Sequence, residues 1–383
     1  MPMILNALPT PAEFFQTYWN KKPFVVRGMI PKNVTETLID ADHLAGLAME
    51  EDVKSRLVRK GGKPSDWACD FGPFDEEIFD TLGDSDWSLL VQNIDQYHAE
   101  TAELLKQFSF CPRWLLDDIM VSFSPNGGTV GEHVDSYHVF LIQGMGERRW
   151  KVAYEPIKDE NYIEDIPLEI LKEPFEGEEI TVTEGDVIYI PPKFAHQGVS
   201  LQPSLTYSVG FLGPSLSEML GEFSHYIEEH HDDFPRYLGQ NLTQTASPFQ
   251  VGAEHIDDLK SFMTTVFDQD LFSKWLTQYF SSPTHIPDEE SSFEEAPSDA
   301  EGLIADKIML IKPPAVKMML SPLKAPNMFS VSINGYSFEL DAKDLHLINA
   351  MAQEGPFSGK VFDDHTELLN NLLARGFIKL LSD

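Results

Sequence analysis

His133 and Asp135 stand two positions apart in the stretch Gly131-Glu-His-Val-Asp-Ser-Tyr-His-Val-Phe-Leu-Ile-Gln-Gly-Met-Gly-Glu-Arg-Arg-Trp150. The stretch reads as two strands joined by a tight turn. On a strand, residues two apart face the same way. An imidazole and a carboxylate side by side make two thirds of a metal site. The remaining ligand must come from a distant segment. His196 is the best candidate, in Gly185-Asp-Val-Ile-Tyr-Ile-Pro-Pro-Lys-Phe-Ala-His-Gln-Gly198. His138 falls on the opposite face from His133 and is excluded. His230 and His231 lie in an acidic run that reads as a charged helix end.

Two histidines and one carboxylate on a six-coordinate ion leave room for a chelating co-substrate and O2, the arrangement of non-haem Fe(II) oxygenases. Zinc catalytic sites use similar ligands but usually keep one open position. Arg148 separates the two readings. Past the turn at Gly144-Met-Gly-Glu147 the chain is expected to run back beside the first strand, aiming Arg148 into the same cavity. A guanidinium there binds a carboxylate through two parallel hydrogen bonds. A ligand with one chelating end and one free carboxylate end is 2-oxoglutarate. Arg148 and Arg149 are adjacent, so only one faces inward, and strand parity alone does not choose between them.

His-x-Asp, an arginine fifteen positions after the first histidine, and the later Pro-Pro-x-Phe-x-His together resemble the JmjC-type 2-oxoglutarate oxygenases of the cupin superfamily. Trp19-Asn-Lys-Lys-Pro23 is similar to the phrase that feeds the first barrel strand in those proteins. Asp117-Asp-Ile-Met-Val-Ser-Phe-Ser124, Gly-Glu-His-Val-Asp-Ser-Tyr and Gln-Gly-x-Gly-x-Arg-Arg-Trp resemble the bacterial ribosomal oxygenases more closely still. The resemblance is strongest over 87–213 and weakest after 242. It implies an Fe(II) enzyme that uses 2-oxoglutarate and O2, with Arg148 rather than Arg149 as the anchor. It also implies a target arginine in the sixteenth protein of the large ribosomal subunit, and a homodimer. Asp118 and Met120 share one strand face, and Tyr137 shares a face with His133 and Asp135. With Ser208, these match the residues that hold the target arginine. A carboxylate, a thioether and an aromatic plate suit a guanidinium and its aliphatic stem.

The remaining features bound this reading. At 383 residues the chain is long enough for two or three domains. Lys and Arg total 28 against 62 Asp and Glu, a net charge of −34. Direct nucleic-acid binding is not expected, because phosphate contacts need basic side chains. A basic ribosomal protein partner would be attracted by such a field, which also favours solubility. Cys69 and Cys111 are too few for a disulfide framework and suit a reducing compartment. The N-terminus has no leader pattern and no apolar run is long enough for a bilayer, so a cytoplasmic, non-membrane protein is expected.

The elements that must position the site follow from the residue pattern. The fold class expected is mostly β with helices. A double-stranded β-helix over 1–213 carries strands near 117–124, 132–143, 147–154, 179–183, 186–190 and 205–212. A helical dimerisation region over 214–282 is expected next, with helices at 215–232 and across 254–280. An acidic linker follows at 283–302. The tail, 303–383, reads as a small winged-helix-like domain with a hairpin around Asn334-Gly335.

Overall fold

Leu57, Leu89, Val91, Ile119, Val121, Phe140, Ile142, Leu205, Tyr207 and Val209 occupy alternate positions on five strands and form one apolar face. That alternation dictates a sheet with one side against a core. The computed structural model describes residues 3–63, 66–230, 236–267, 269–282, 308–313, 316–353 and 355–381. The expected linker at 283–302 lies outside the described residues. The chain divides into two compact units, Met1–Gly213 and Pro214–Asp383.

The first unit holds strands β1 (Met3–Leu5), β2 (Phe24–Val26), β3 (Ser55–Arg59), β4 (Ala68–Phe71), β5 (Trp87–Val91) and β6 (Leu116–Ser124). It continues with β7 (His138–Met145), β8 (Arg148–Ala153), β9 (Gly177–Val182), β10 (Val187–Ile190), β11 (His196–Ser200) and β12 (Ser204–Phe211). The large sheet runs β1-β2-β10-β7-β12-β6-β5-β3-β4, and a small sheet runs β11-β8-β9. The outer face of the large sheet packs on N-terminal segments through Phe14, Tyr18, Leu44, Leu104 and Phe108. Its other face meets the small sheet, and Val139, Leu141 and Ile188 pack with Trp150, Val152 and Ile180.

Two expectations at the central stretch are corrected. First, β7 and β8 are not a hydrogen-bonded hairpin. β7 pairs with β10 and β12, whereas β8 pairs with β9 and β11. The turn between them carries the chain from one sheet to the other. Gly146 (φ 72) makes that change of direction possible, since a side chain there would run into the Pro203 carbonyl. Second, the strand begins at His138, not at 132. His133 forms only an isolated bridge with His196, and the segment through Asp135 and Tyr137 is irregular. Gly131 (φ 90) and the overlying residues 170 and 171 bend this segment away from the ladder.

His138 lies on the outer face, stacked on Trp19 with ring centroids 3.5 Å apart, and its Nδ1 shares a 2.8 Å hydrogen bond with the Tyr189 hydroxyl. Burial pushes its pKa down from 6.5 to about 4. The unfolded chain therefore takes up this proton before the native protein does, and stability falls as pH drops from about 6.5 to about 4. His138→Gln is expected to flatten that part of the stability-versus-pH curve by about one proton. Urea unfolding at several pH values measures it, and an unchanged slope would contradict the assignment.

The second unit has helices Leu216–His230, Ala253–Thr264 and Gln269–Ser281; Phe223 of the first, Phe272 and Trp275 of the third, and Phe267 just ahead of the third form one ring cluster. The helical stretch expected over 254–280 is therefore two helices. At the break, Thr264 and Thr265 hydroxyls donate to the Ser261 and Phe262 carbonyls, a local competition with the helical ladder. The last helix packs on a three-stranded sheet, where the Thr277 hydroxyl lies 2.9 Å from that of Ser330. The hairpin turns at Asn334 (φ 44) and Gly335 (φ 81), both left-handed as the Asn-Gly signal requires. Helices Leu345–Ala352 and Thr366–Ala374 cover a separate core around Leu310, Val331, Leu347 and Leu369.

Candidate active site

The two histidines meet through backbone pairing. His133 N–H donates to the His196 carbonyl at 3.1 Å, and His196 N–H returns the bond to His133 at 2.9 Å. A reciprocal pair of this kind brings two side chains together on one side. The ring centroids are 4.2 Å apart. The chain then swings so that Asp135 reaches both rings, its carboxylate 3.9 Å from His133 Nε2 and 3.4 Å from His196 Nε2. One ligand atom from each of His133, Asp135 and His196 lies within 4.8 Å of the others, and among the described residues this is the single group so arranged.

These residues fit a divalent metal. His133 Nδ1 lies 3.1 Å from the Gly131 carbonyl and His196 Nδ1 lies 3.0 Å from the Phe194 carbonyl. A carbonyl only accepts, so each Nδ1 carries the proton and each Nε2 turns a lone pair toward Asp135. Burial, and then the neighbouring His196, push His133 down to about 4, which keeps it neutral. Burial works against ionising Asp135, but the adjoining His196, and then His133, outweigh it and hold the pKa below normal. The donor set is two imidazole Nε2 atoms and a carboxylate, the set expected for Fe(II).

A buttress holds this segment. The Leu171 N–H donates to the Glu132 carbonyl at 2.7 Å, and Lys193 N–H to that of Asp135 at 2.9 Å. Val134 is buried with Leu171, Phe175 and Ala195. A Cβ on Gly131 would lie 2.9 Å from Ile170 Cδ1, on a backbone with φ 90. Gly131→Ala is therefore expected to cost about 1–3 kcal/mol and to weaken metal binding, through strain at the turn leading into His133. Chemical denaturation and metal titration check the pair of effects together.

Arg148 is 3 % exposed and reaches across from the small sheet to the large one. Its Nη1 donates to Ser122 Oγ at 3.3 Å and Thr206 Oγ1 at 3.1 Å, while its buried Nε has no hydrogen-bond partner. Burial lowers its pKa to about 10, which still leaves it charged. A buried cation held by two hydroxyls and short of an acceptor is a receptor for an anion. Arg149 points the other way, exposed and 3.9 Å from Glu179. The sequence reading did not identify Ser122 and Thr206. The alternating serines of Met120-Val-Ser-Phe-Ser124 were the available signal, polar residues on the inward face of an otherwise apolar strand.

The four residues expected to hold the target side chain share the inner face. Met120 and Ser208 are direct cross-strand partners, and Asp118 lies two residues along from Met120. Asp118 is buried, and its Oδ2 accepts from the Asn93 N–H at 2.9 Å. Gly210 leaves space there, since a Cβ on it would lie 3.7 Å from Tyr137 Cε2 and 3.8 Å from Asp118 Oδ1. Burial first, then Asp135 and Asp118, raise the Tyr137 pKa, so its phenol stays protonated.

A two-histidine, one-carboxylate set sharing a barrel interior with an anion receptor defines the class, a JmjC-type oxygenase dependent on a metal and 2-oxoglutarate. A model of the JmjC domain matches residues 103–219. The ribosomal protein uL16 3-hydroxylase of Escherichia coli K12 is 37 % identical over 278 residues, covering 71 % of this chain and 72 % of that protein. A probable ribosomal oxygenase of Haemophilus influenzae is 35 % identical over 269 residues, 66 % of this chain and 63 % of its own length. The solved ribosomal oxygenase YcfD of Escherichia coli, in complex with cobalt and 2-oxoglutarate, superposes with a TM-score of 0.80 at 29 % identity, covering 98 % of this chain and 99 % of its own. The chain belongs to the family of 2-oxoglutarate-dependent ribosomal oxygenases. No described helix is long and apolar enough to cross a membrane.

Proposed function

We propose that this protein hydroxylates an arginine side chain of a large-subunit ribosomal protein, the counterpart of uL16. The observation that carries the proposal is the inner-face group of Asp118, Met120, Tyr137 and Ser208 next to the His133–Asp135–His196 set. His133, Asp135 and His196 are the proposed iron ligands, and Arg148 the proposed anchor for the distal carboxylate of 2-oxoglutarate. When bound, the iron couples oxidative decarboxylation of 2-oxoglutarate to insertion of one oxygen atom into a C–H bond. The protein's part is positioning. Asp118 neutralises the incoming guanidinium, and Met120 and Tyr137 line its aliphatic stem. The buried walls around Arg148 keep water from competing for the anion.

The net charge of −34 favours capture of a basic ribosomal protein over direct contact with nucleic acid. A homodimer through the helices of the second unit is supported by exposed Leu216, Leu220, Ile256 and Met263, whose apolar surface is unusual for a solvated face. The hairpin and helices beyond residue 308 are consistent with a winged-helix-like domain that makes protein contacts. The cytoplasm, where ribosomal proteins are made, is the proposed location.

The test is to incubate the purified protein with Fe(II), 2-oxoglutarate and a peptide spanning the uL16 candidate arginine. The expected result is peptide-dependent succinate and a gain of one oxygen, mapped to arginine by fragmentation. Oxygen on a histidine or lysine instead would reject the arginine target, and formaldehyde from a methylated peptide would point to demethylation.

A further inference from the structure

The large sheet continues past the cavity by two strands, β3 and β4, and their inner face carries groups that neither the metal nor 2-oxoglutarate requires. One cross-strand row shows this. Phe71 on β4 pairs with Arg56 on β3, Arg56 with Leu90, Leu90 with Ser122, and Ser122 with Thr206. Directly paired residues project from the same face of a sheet. Ser122 and Thr206 accept from Arg148 and so point into the barrel. Arg56 and Phe71 therefore stand on the same side, on an outward extension of the cavity floor. Both are exposed, Phe71 at 68 %.

Arg56 differs from its neighbour. Arg59, on the opposite face, is ion-paired with Asp70. Among the described residues no hydrogen bond or ion pair engages Arg56. The cross-strand row sets it two strands away from Ser122, on the face that lines the site. In a chain with 62 acidic residues, an uncommitted arginine on this face is a conspicuous choice. It repels the basic side chains that such a substrate brings, so its own ligand must be an acceptor. Main-chain carbonyl oxygens are the acceptors every peptide carries. A phenyl ring at the sheet edge provides a flat apolar support next to it.

We propose that Arg56 and Phe71 form a docking ledge for the extended main chain of the substrate segment beside the target residue, with Arg56 donating to a peptide carbonyl. This rests on the protein-hydroxylase reading above. The ledge sets register, since one basic side chain enters the Asp118 pocket while Arg56 turns its neighbours away.

The experiment compares wild type, Arg56→Ala, Arg56→Lys and Phe71→Ala in steady-state assays with the uL16-derived peptide, varying peptide and 2-oxoglutarate separately. Thermal melts confirm folding, which substitutions of exposed side chains leave intact. Losing a charged donor to a neutral acceptor is expected to raise the peptide KM of Arg56→Ala about tenfold. The KM for 2-oxoglutarate and kcat at saturating peptide stay near wild type. Arg56→Lys recovers part of the loss, and Phe71→Ala raises the peptide KM severalfold. A peptide KM unchanged in both alanine variants overturns the ledge while leaving the hydroxylase reading intact. A rise in the 2-oxoglutarate KM or a loss of metal affinity in Arg56→Ala also overturns it, because Arg56 would then act through Asp135. If wild type turns over no peptide, the hydroxylase reading fails and the ledge falls with it.

Discussion

Asp135→Ala is expected to abolish peptide-dependent succinate formation, a fall of at least about a thousandfold, with loss of stoichiometric metal. Asp135 is the one anion in the group and sits between the two Nε2 atoms, at 3.9 Å and 3.4 Å. Without it, two neutral imidazoles hold no divalent ion firmly against water, and no charge is left to balance the cation. The backbone pairing of His133 with His196 does not involve this side chain, so the fold persists. Metal analysis after dialysis and circular dichroism separate the two effects. A variant that retains a full equivalent of iron and measurable turnover would remove Asp135 from the site.

Arg148→Met is expected to raise the KM for 2-oxoglutarate by about a hundredfold or more, since charge-assisted hydrogen bonds contribute about 1.5–3 kcal/mol each. It carries a second, opposite expectation. In the absence of co-substrate the guanidinium is buried, charged and short of a partner at Nε. Such a group is a liability that an apolar side chain of similar length relieves. The co-substrate-free variant should therefore melt at or above the temperature of the wild type. Added 2-oxoglutarate should raise the melting temperature of the wild type, with metal present, and not that of the variant. A variant that melts well below wild type, yet keeps the wild-type response to 2-oxoglutarate, would show that Arg148 serves the packing and not the ligand.

Much of this was legible before any coordinates. Short apolar runs bounded by Gly and Pro turns marked β6, β8, β9, β10 and β12 to within a few positions, because a strand must end where the backbone turns. Asn334-Gly335 marked its hairpin because few residue pairs, Asn-Gly among them, adopt two consecutive left-handed conformations at little cost. Other features were misjudged. The long apolar stripe over 254–280 concealed a break, since periodicity reports which residues face inward and not whether the helix is continuous. Arg56 was passed over because an exposed charge on a short strand looks like any solvated residue until its cross-strand neighbours are known.

The chain by itself determined the chemistry. Residue type and order named two imidazoles, a carboxylate and a guanidinium, and these are properties of side chains that need no fold to be stated. Tertiary structure decided how they meet. His133 and Asp135 converge because a bridge to His196 and a buttress at residues 170–171 bend an irregular segment, not because a strand alternates. Arg148 faces inward because the turn at Gly146 sends β8 to the opposing sheet, where two hydroxyls from strands β6 and β12 receive it. Local periodicity reports a residue's face within its own element. Which element lies opposite depends on contacts between residues far apart in the chain, and those exist only once it has folded.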